Sequence, residues 1–137
     1  MGDEESVLAT MTAWAHALER KDVDAMLADY EAEAVLYDIA GQHVGVEAIR
    51  ALWRRRLPHF PAKFRSRHDD VRIIAGQDVA ILAAVHRLIV PGEPDHAISR
   101  SGARVTVAYR WRAGRWRVVH EHASVPFDVA AGRPIVV

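Results

Sequence analysis

The chain has 137 residues, half of them apolar, with 18 basic and 18 acidic side chains and no cysteine. That length suits one domain with a sizeable core, the balanced charge gives no electrostatic case for nucleic acid or anionic lipid, and the lack of thiols excludes disulfides, thiolate metal centres and cysteine nucleophiles. No apolar run reaches membrane-spanning length and the start, Met1 to Ser6, is acidic where a signal peptide would be basic, so a soluble, cytoplasmic protein with no membrane and no nucleic-acid partner is expected.

In chain order, Glu4 to Arg20 reads as a helix, with Leu8, Met11, Trp14, Ala15 and Leu18 three and four apart. Asp22 is placed to cap a short second helix through Val23, Met26, Leu27 and Tyr30. Ala34 to Asp38 is a short strand ended by Gly41 and Gly45, with Asp38 on the same parity as Leu36. A third helix begins near Val46, turns Ile49, Leu52, Trp53 and Leu57 to the core, and stops where Pro58 and Pro61 crowd the chain. Beyond Lys63 the period changes: Phe64 to Ile74 is extended, Gly76 to Asp78 is a turn, and Val79 to Val90 is the longest apolar β run, with His86 on the face of Leu82 and Leu88. A strand resumes near Ala97. After Val125, the segment 126–137 reads as a short tail of the same single domain, 1–137.

The strongest pattern lies near the end. Two alternating runs, Arg104 to Trp111 and Trp116 to Val125, flank Ala113-Gly114, which is a hairpin signal. Pairing outward from that turn sets Trp111 beside Trp116, Tyr109 beside Val118, Val107 beside His120 and Val105 beside His122. Strict alternation then collects Val105, Val107, Tyr109, Trp111, Trp116, Val118, His120 and His122 on one face. Arg104, Thr106, Arg117 and Glu121 fall on the other, where they are expected to serve as surface or dimer contacts.

The run Gly114 to Phe127, supported by Lys21 to Met26, Tyr30 to Asp38 and Gly45 to Ile49, resembles the SnoaL-like, ketosteroid isomerase-like proteins of the nuclear transport factor 2-like superfamily over roughly residues 5 to 127. The resemblance implies an α+β, cone-shaped fold, with three N-terminal helices packed in a strongly curved antiparallel sheet. It also implies a cofactor-independent small-molecule enzyme. Ketosteroid isomerase carries an aspartate base at the end of its first strand, and Asp38 matches that place. Trp14 and Val107 stand where that enzyme keeps its two oxyanion donors, so this chain retains the candidate base and lacks both donors.

The expected function is acid–base chemistry, whether isomerisation, cyclisation, dehydration or hydrolysis, on a hydrophobic carbonyl-containing compound. Asp38 would be the base, with His120 and His122 assisting and Trp14, Trp53, His86, Tyr109, Val107 and Trp111 lining the pocket. Tyr37 and His43 lie beside the Asp38 turn. His86, His120 and His122 raise the alternative of a three-histidine metal site, but nothing in the sequence fixes their distances, and no metal or cofactor is expected. The remaining alternatives are a non-catalytic binder of a small hydrophobic ligand and an oligomeric assembly module. A homodimer through the outer sheet face is the expected partner arrangement.

Overall fold

The first helix begins at a reciprocal cap. Asp3 accepts a hydrogen bond from the Ser6 backbone N–H at 2.9 Å, and Ser6 Oγ accepts one from the Asp3 N–H at 2.9 Å. The computed structural model describes residues 3–100 and 102–135. From that cap α1 runs Glu4–Glu19, burying Val7, Met11, Ala15, Ala17 and Leu18. Asp22 caps α2, Val23–Met26, as its side chain accepts from the Ala25 N–H at 3.0 Å. Then follow β1 Tyr30–Asp38, β2 Gly41–Val44 and α3 Val46–Arg56, with a 3₁₀ turn at Leu57–His59. The remainder is β3 Arg65–Ala75, β4 Val79–Ile89, a short α4 Ala97–Arg100, β5 Ala103–Arg112, β6 Arg115–Ser124, and the two-residue strands β7 Phe127–Asp128 and β8 Arg133–Pro134.

Six strands form one sheet in the order β2-β1-β6-β5-β4-β3, and β7 and β8 pair separately. This corrects the expected architecture. Two helices, not three, precede the first strand, because α3 enters only after the β1–β2 hairpin. Nor is the sheet the strongly curved antiparallel one expected: it is open, with β2 and β3 as its edges, and it is mixed, because β1 runs parallel to β6. A parallel neighbour needs a long return connection, and everything from β2 to β5 supplies it. The β5–β6 hairpin therefore sits inside the sheet and does not close it. The strand expected near Ala97 is the helical turn α4. Val136 and Val137 of the expected tail lie outside the described residues.

The hairpin turn is as predicted. Ala113 and Gly114 have φ of 53° and 80°, the paired positive values that match the twist of the flanking strands. Farther along, the register departs from strict alternation. Tyr109 pairs with Val118, but Ala108 pairs with His120, so Val119 is an extra residue. Beyond it every side chain of β6 changes face. Val107 is opposite Glu121, and Thr106 is opposite His122. A second bulge interrupts β3 between Asp69 and Arg72, where Asp70 takes a φ of 52°. It lets His68 before it and Ile73 after it share one face although their numbers differ in parity.

α1 and α3 cover that face, and the core between them and the sheet includes Leu18, Met26, Ile49, Leu82 and Trp116, each at most 2% exposed. Trp116 Nε1 donates to Ser6 Oγ at 2.9 Å, tying the middle of the sheet to the cap of α1. On the rim, Arg110 and Arg112 approach the buried Glu31 at 3.5 and 3.7 Å, and Arg115 approaches Asp29 at 3.4 Å. The arginine-rich hairpin thus meets the acidic stretch after α2. Among the described residues no helix is long and apolar enough to cross a membrane.

Candidate functional site

Trp14, on the inner side of α1, stands between two cavities. Its ring meets Trp53 edge-on at 5.9 Å, His86 at 5.5 Å and His68 at 6.0 Å. On one side is an outer cavity of about 280 Å³ walled by Leu36, Ile39, Trp53, Phe60, Leu88 and Ile98, with Asp38, Arg56 and Glu121 as its charged groups. On the other is an inner cavity of about 60 Å³ among Thr10, Asp29, Tyr30, His68, Tyr109 and Glu121. Trp14, His86, Val105 and Glu121 belong to both walls. An apolar hollow with a few convergent polar groups is the usual form of a small-molecule site.

The bulge at Val119 aims Glu121 into this space. Burial pushes its carboxyl up to about 7, in spite of the hydrogen bond donated by the Tyr30 hydroxyl, which favours the charged form. Tyr30 is raised well above its ordinary value, by burial first and the Glu121 charge second, and so remains a proton donor. The Trp14 N–H is buried and makes no hydrogen bond to a described residue.

Asp38 is held in the opposite sense. Burial alone would raise it, but His43, Arg56 and the Ala40 N–H together outweigh burial and lower it. Its side chain is only 4% exposed. Oδ1 takes His43 Nε2 at 3.1 Å and the Ala40 and Gly41 N–H groups at 2.9 and 3.1 Å, while Oδ2 takes Arg56 alone at 2.9 Å. Arg56 reaches it by lying across Trp53, its guanidinium 5.6 Å from the ring centre. Two carboxyls thus line one cavity, one pushed up and one pushed down.

His68 and His86 lie with ring centres 4.7 Å apart and planes tilted by 37°, and His86 Nε2 meets Ser66 Oγ at 2.7 Å. Burial lowers them to about 4 and about 3, so both are neutral imidazoles at ordinary pH.

Of the residues singled out in the sequence, Asp38, Trp14, Trp53 and His86 line the outer cavity, and Val107 and Tyr109 line the inner one. Trp111 lines neither and packs against Trp116 at 5.3 Å. The inward placement of His120 and His122 is corrected. Both lie on the far face of the sheet, edge-on to Tyr37 at 4.9 and 5.9 Å, because the extra Val119 reverses parity just before them. His86 is therefore separated from them by the sheet, and among the described residues no three acidic or imidazole side chains converge as a metal set.

The site residues that sequence reasoning missed are Glu121, Arg56, Tyr30 and His68. The adjacent apolar pair Val118-Val119 was the one sign of a bulge, and its two readings differ only in three dimensions. Arg56 was legible as a stem on the core edge but not as a partner of Asp38.

Among curated proteins no relative matches the chain. The structure is similar to an NTF2-like protein of unknown function from Pseudomonas putida KT2440, at 27% identity over 97% of this chain and 93% of that one, with a TM-score of 0.87. It is also similar to a candidate calcium/calmodulin-dependent protein kinase type II association domain from Thiobacillus denitrificans, at 27% identity over 88% and 94% of the two chains and a TM-score of 0.73. A candidate ketosteroid isomerase from Parabacteroides distasonis shares the fold at 15% identity, covering 86% and 83%, with a TM-score of 0.66. The model of the SnoaL-like domain matches residues 7–128, nearly the whole chain, and the protein belongs to the SnoaL-like domain family.

Proposed function

We propose that the chain is a small-molecule enzyme performing acid–base chemistry on a hydrophobic carbonyl-containing compound in the outer cavity. The observation that carries this reading is the pair of carboxyls with opposed proton affinities on one apolar wall. Groups whose environments separate their pKa values in this way divide acid and base roles between them. Glu121, near half-protonated at neutral pH, gives a proton to the substrate oxygen. Asp38 stays ionised and takes a proton from carbon or from water through Oδ2, the oxygen that carries only the Arg56 bond. Arg56 has donors left over to meet the oxygen on which charge develops. Isomerisation, cyclisation, dehydration and hydrolysis can each use such an acid and base, and the fold does not choose among them. The expected assistance of His120 and His122 passes in this reading to Glu121.

Turnover of a panel of hydrophobic probes, namely unsaturated ketones, β-hydroxy ketones and aryl esters, followed by absorbance, tests the proposal. The wild type should accelerate at least one class. Glu121→Gln and Asp38→Asn should each lose about a hundredfold or more while still quenching tryptophan fluorescence on probe binding. An unchanged rate in Glu121→Gln sinks the assignment, and quenching without turnover of any probe by the wild type makes the protein a binder. The same reading takes a second copy of the chain as partner across the outer sheet face, supported by the exposed cross-strand pair Ile74 and Ile81 and by Val79 beside it.

A further inference from the structure

The inner cavity offers little room for a substrate. At about 60 Å³ it nevertheless exceeds several-fold the roughly 10–15 Å³ that one water molecule needs. Its walls are largely apolar but carry a set of polar groups: Thr10, Asp29, Tyr30, His68, Tyr109 and Glu121 all contribute. Most of these have partners. Thr10 Oγ1 donates to the Ser6 carbonyl, Tyr30 donates to Glu121, and Asp29 faces Arg115 at 3.4 Å.

Tyr109 stands between two of the wall's carboxyls, Glu121 and Asp29. Only 3% of it is exposed, and its hydroxyl, which is not among the fully buried unpartnered atoms of the described residues, opens on the cavity. The negative charges of Glu121 and Asp29 both act on it, after burial, to raise it. Both carboxyls line the same cavity as Tyr109. A buried phenol flanked in this way by acceptors is the arrangement that a bridging water completes.

We infer that the inner cavity is a bound-water site, in which water anchored on the Tyr109 hydroxyl bridges to Glu121 and carries protons between that carboxyl and the protein edge beside Asp29. The inference rests on Glu121 being the acid–base group proposed above. The other titratable groups on the wall do not compete for this role: burial keeps His68 and His86 neutral, and Tyr30 stays protonated. Asp29, with about a third of its side chain exposed, stands where the cavity wall meets solvent. Tyr109 acts through the water and is a positioning residue. Such a site lets Glu121 be reprotonated from behind while a hydrophobic compound closes the outer cavity in front.

Water-to-protein nuclear Overhauser spectra of the wild type, with carbon-detected titration of the Glu121 carboxyl in wild type and Tyr109→Phe, test the inference. Phenylalanine keeps the ring and its packing and removes only the anchor. The expected result is a long-lived water cross-peak at the Tyr109 ring that disappears in Tyr109→Phe, together with an upward shift of the Glu121 pKa, because the carboxylate loses a donor. Lack of a water cross-peak in the wild type overturns the site. A cross-peak with an unmoved Glu121 pKa overturns the link between them. A Glu121 carboxyl titrating at an ordinary glutamate value overturns instead the acid–base reading on which the inference stands.

Discussion

Glu121 and Asp38 show how one fold gives two carboxyls opposite characters. Glu121 is buried and receives a single donor, the Tyr30 hydroxyl, so its charged form is poorly compensated. Asp38 is also largely covered but receives two side-chain and two backbone donors, and these compensate it. The difference has a consequence for stability. Because folding raises Glu121 from 4.5 to about 7, the unfolded chain releases its proton across that window while the folded chain holds it, and stability falls as pH rises from 4.5 to 7. The loss is on the order of 3 kcal/mol. Urea unfolding of Glu121→Gln should lack this fall and leave the variant more stable than wild type at pH 8, with little difference at pH 4. Asp38→Asn should do the reverse, costing about 2 kcal/mol at neutral pH, since Arg56 and His43 lose the carboxylate between them.

At the scale of the elements, the β6 bulge decides which chemistry faces the cavity. A strand with strict alternation from Trp116 would turn His120 and His122 inward and Glu121 outward, and one extra residue exchanges them. Deleting Val119 removes the extra residue and keeps Glu121 opposite Val107, so the variant should still fold and its Glu121 carboxyl should remain raised, as carbon-detected titration would register. A deletion variant whose Glu121 returned to an ordinary titration would contradict this account of the bulge. The same feature marks how far the sequence was legible. Helix caps at Asp22, the Ala113-Gly114 turn and the span of α3 are local signals, and each appears in the structure where its chemistry required. The two bulges, the parallel pairing of β1 with β6 and the meeting of Arg56 with Asp38 depend on contacts between distant segments. Period alone could not register them, and it misplaced every inward residue of β6 after Val118.

For the whole molecule, the two buried imidazoles and the buried carboxyl pull stability in opposite directions. His68 and His86 are lowered from 6.5 to about 4 and about 3, so acidification below 6.5 protonates the unfolded chain first and costs stability. Alkalinisation through the Glu121 window costs it too. With two imidazoles opposing one carboxyl between pH 4.5 and 6.5, the contribution of these three groups is greatest near pH 6.5, which a series of thermal melts from pH 4 to 8 would locate. The outer face carries the oligomer question. Ile74 and Ile81 are 74% and 44% exposed and pair across β3 and β4, so replacing both with aspartate should convert a sedimenting dimer to monomer at little cost to the fold. A wild type that sediments as a monomer removes that partner.

The central claim is that the chain places a carboxyl with neutral proton affinity in its apolar cavity, and that this carboxyl is Glu121. Carbon-detected titration of the side-chain carboxyls, with Glu121→Gln to identify the resonance, reads that directly. The account predicts that the Glu121 signal titrates near pH 7. A midpoint near 4.5 would mean the carboxyl is solvated, and would contradict both its place in the cavity and its proposed part in the reaction.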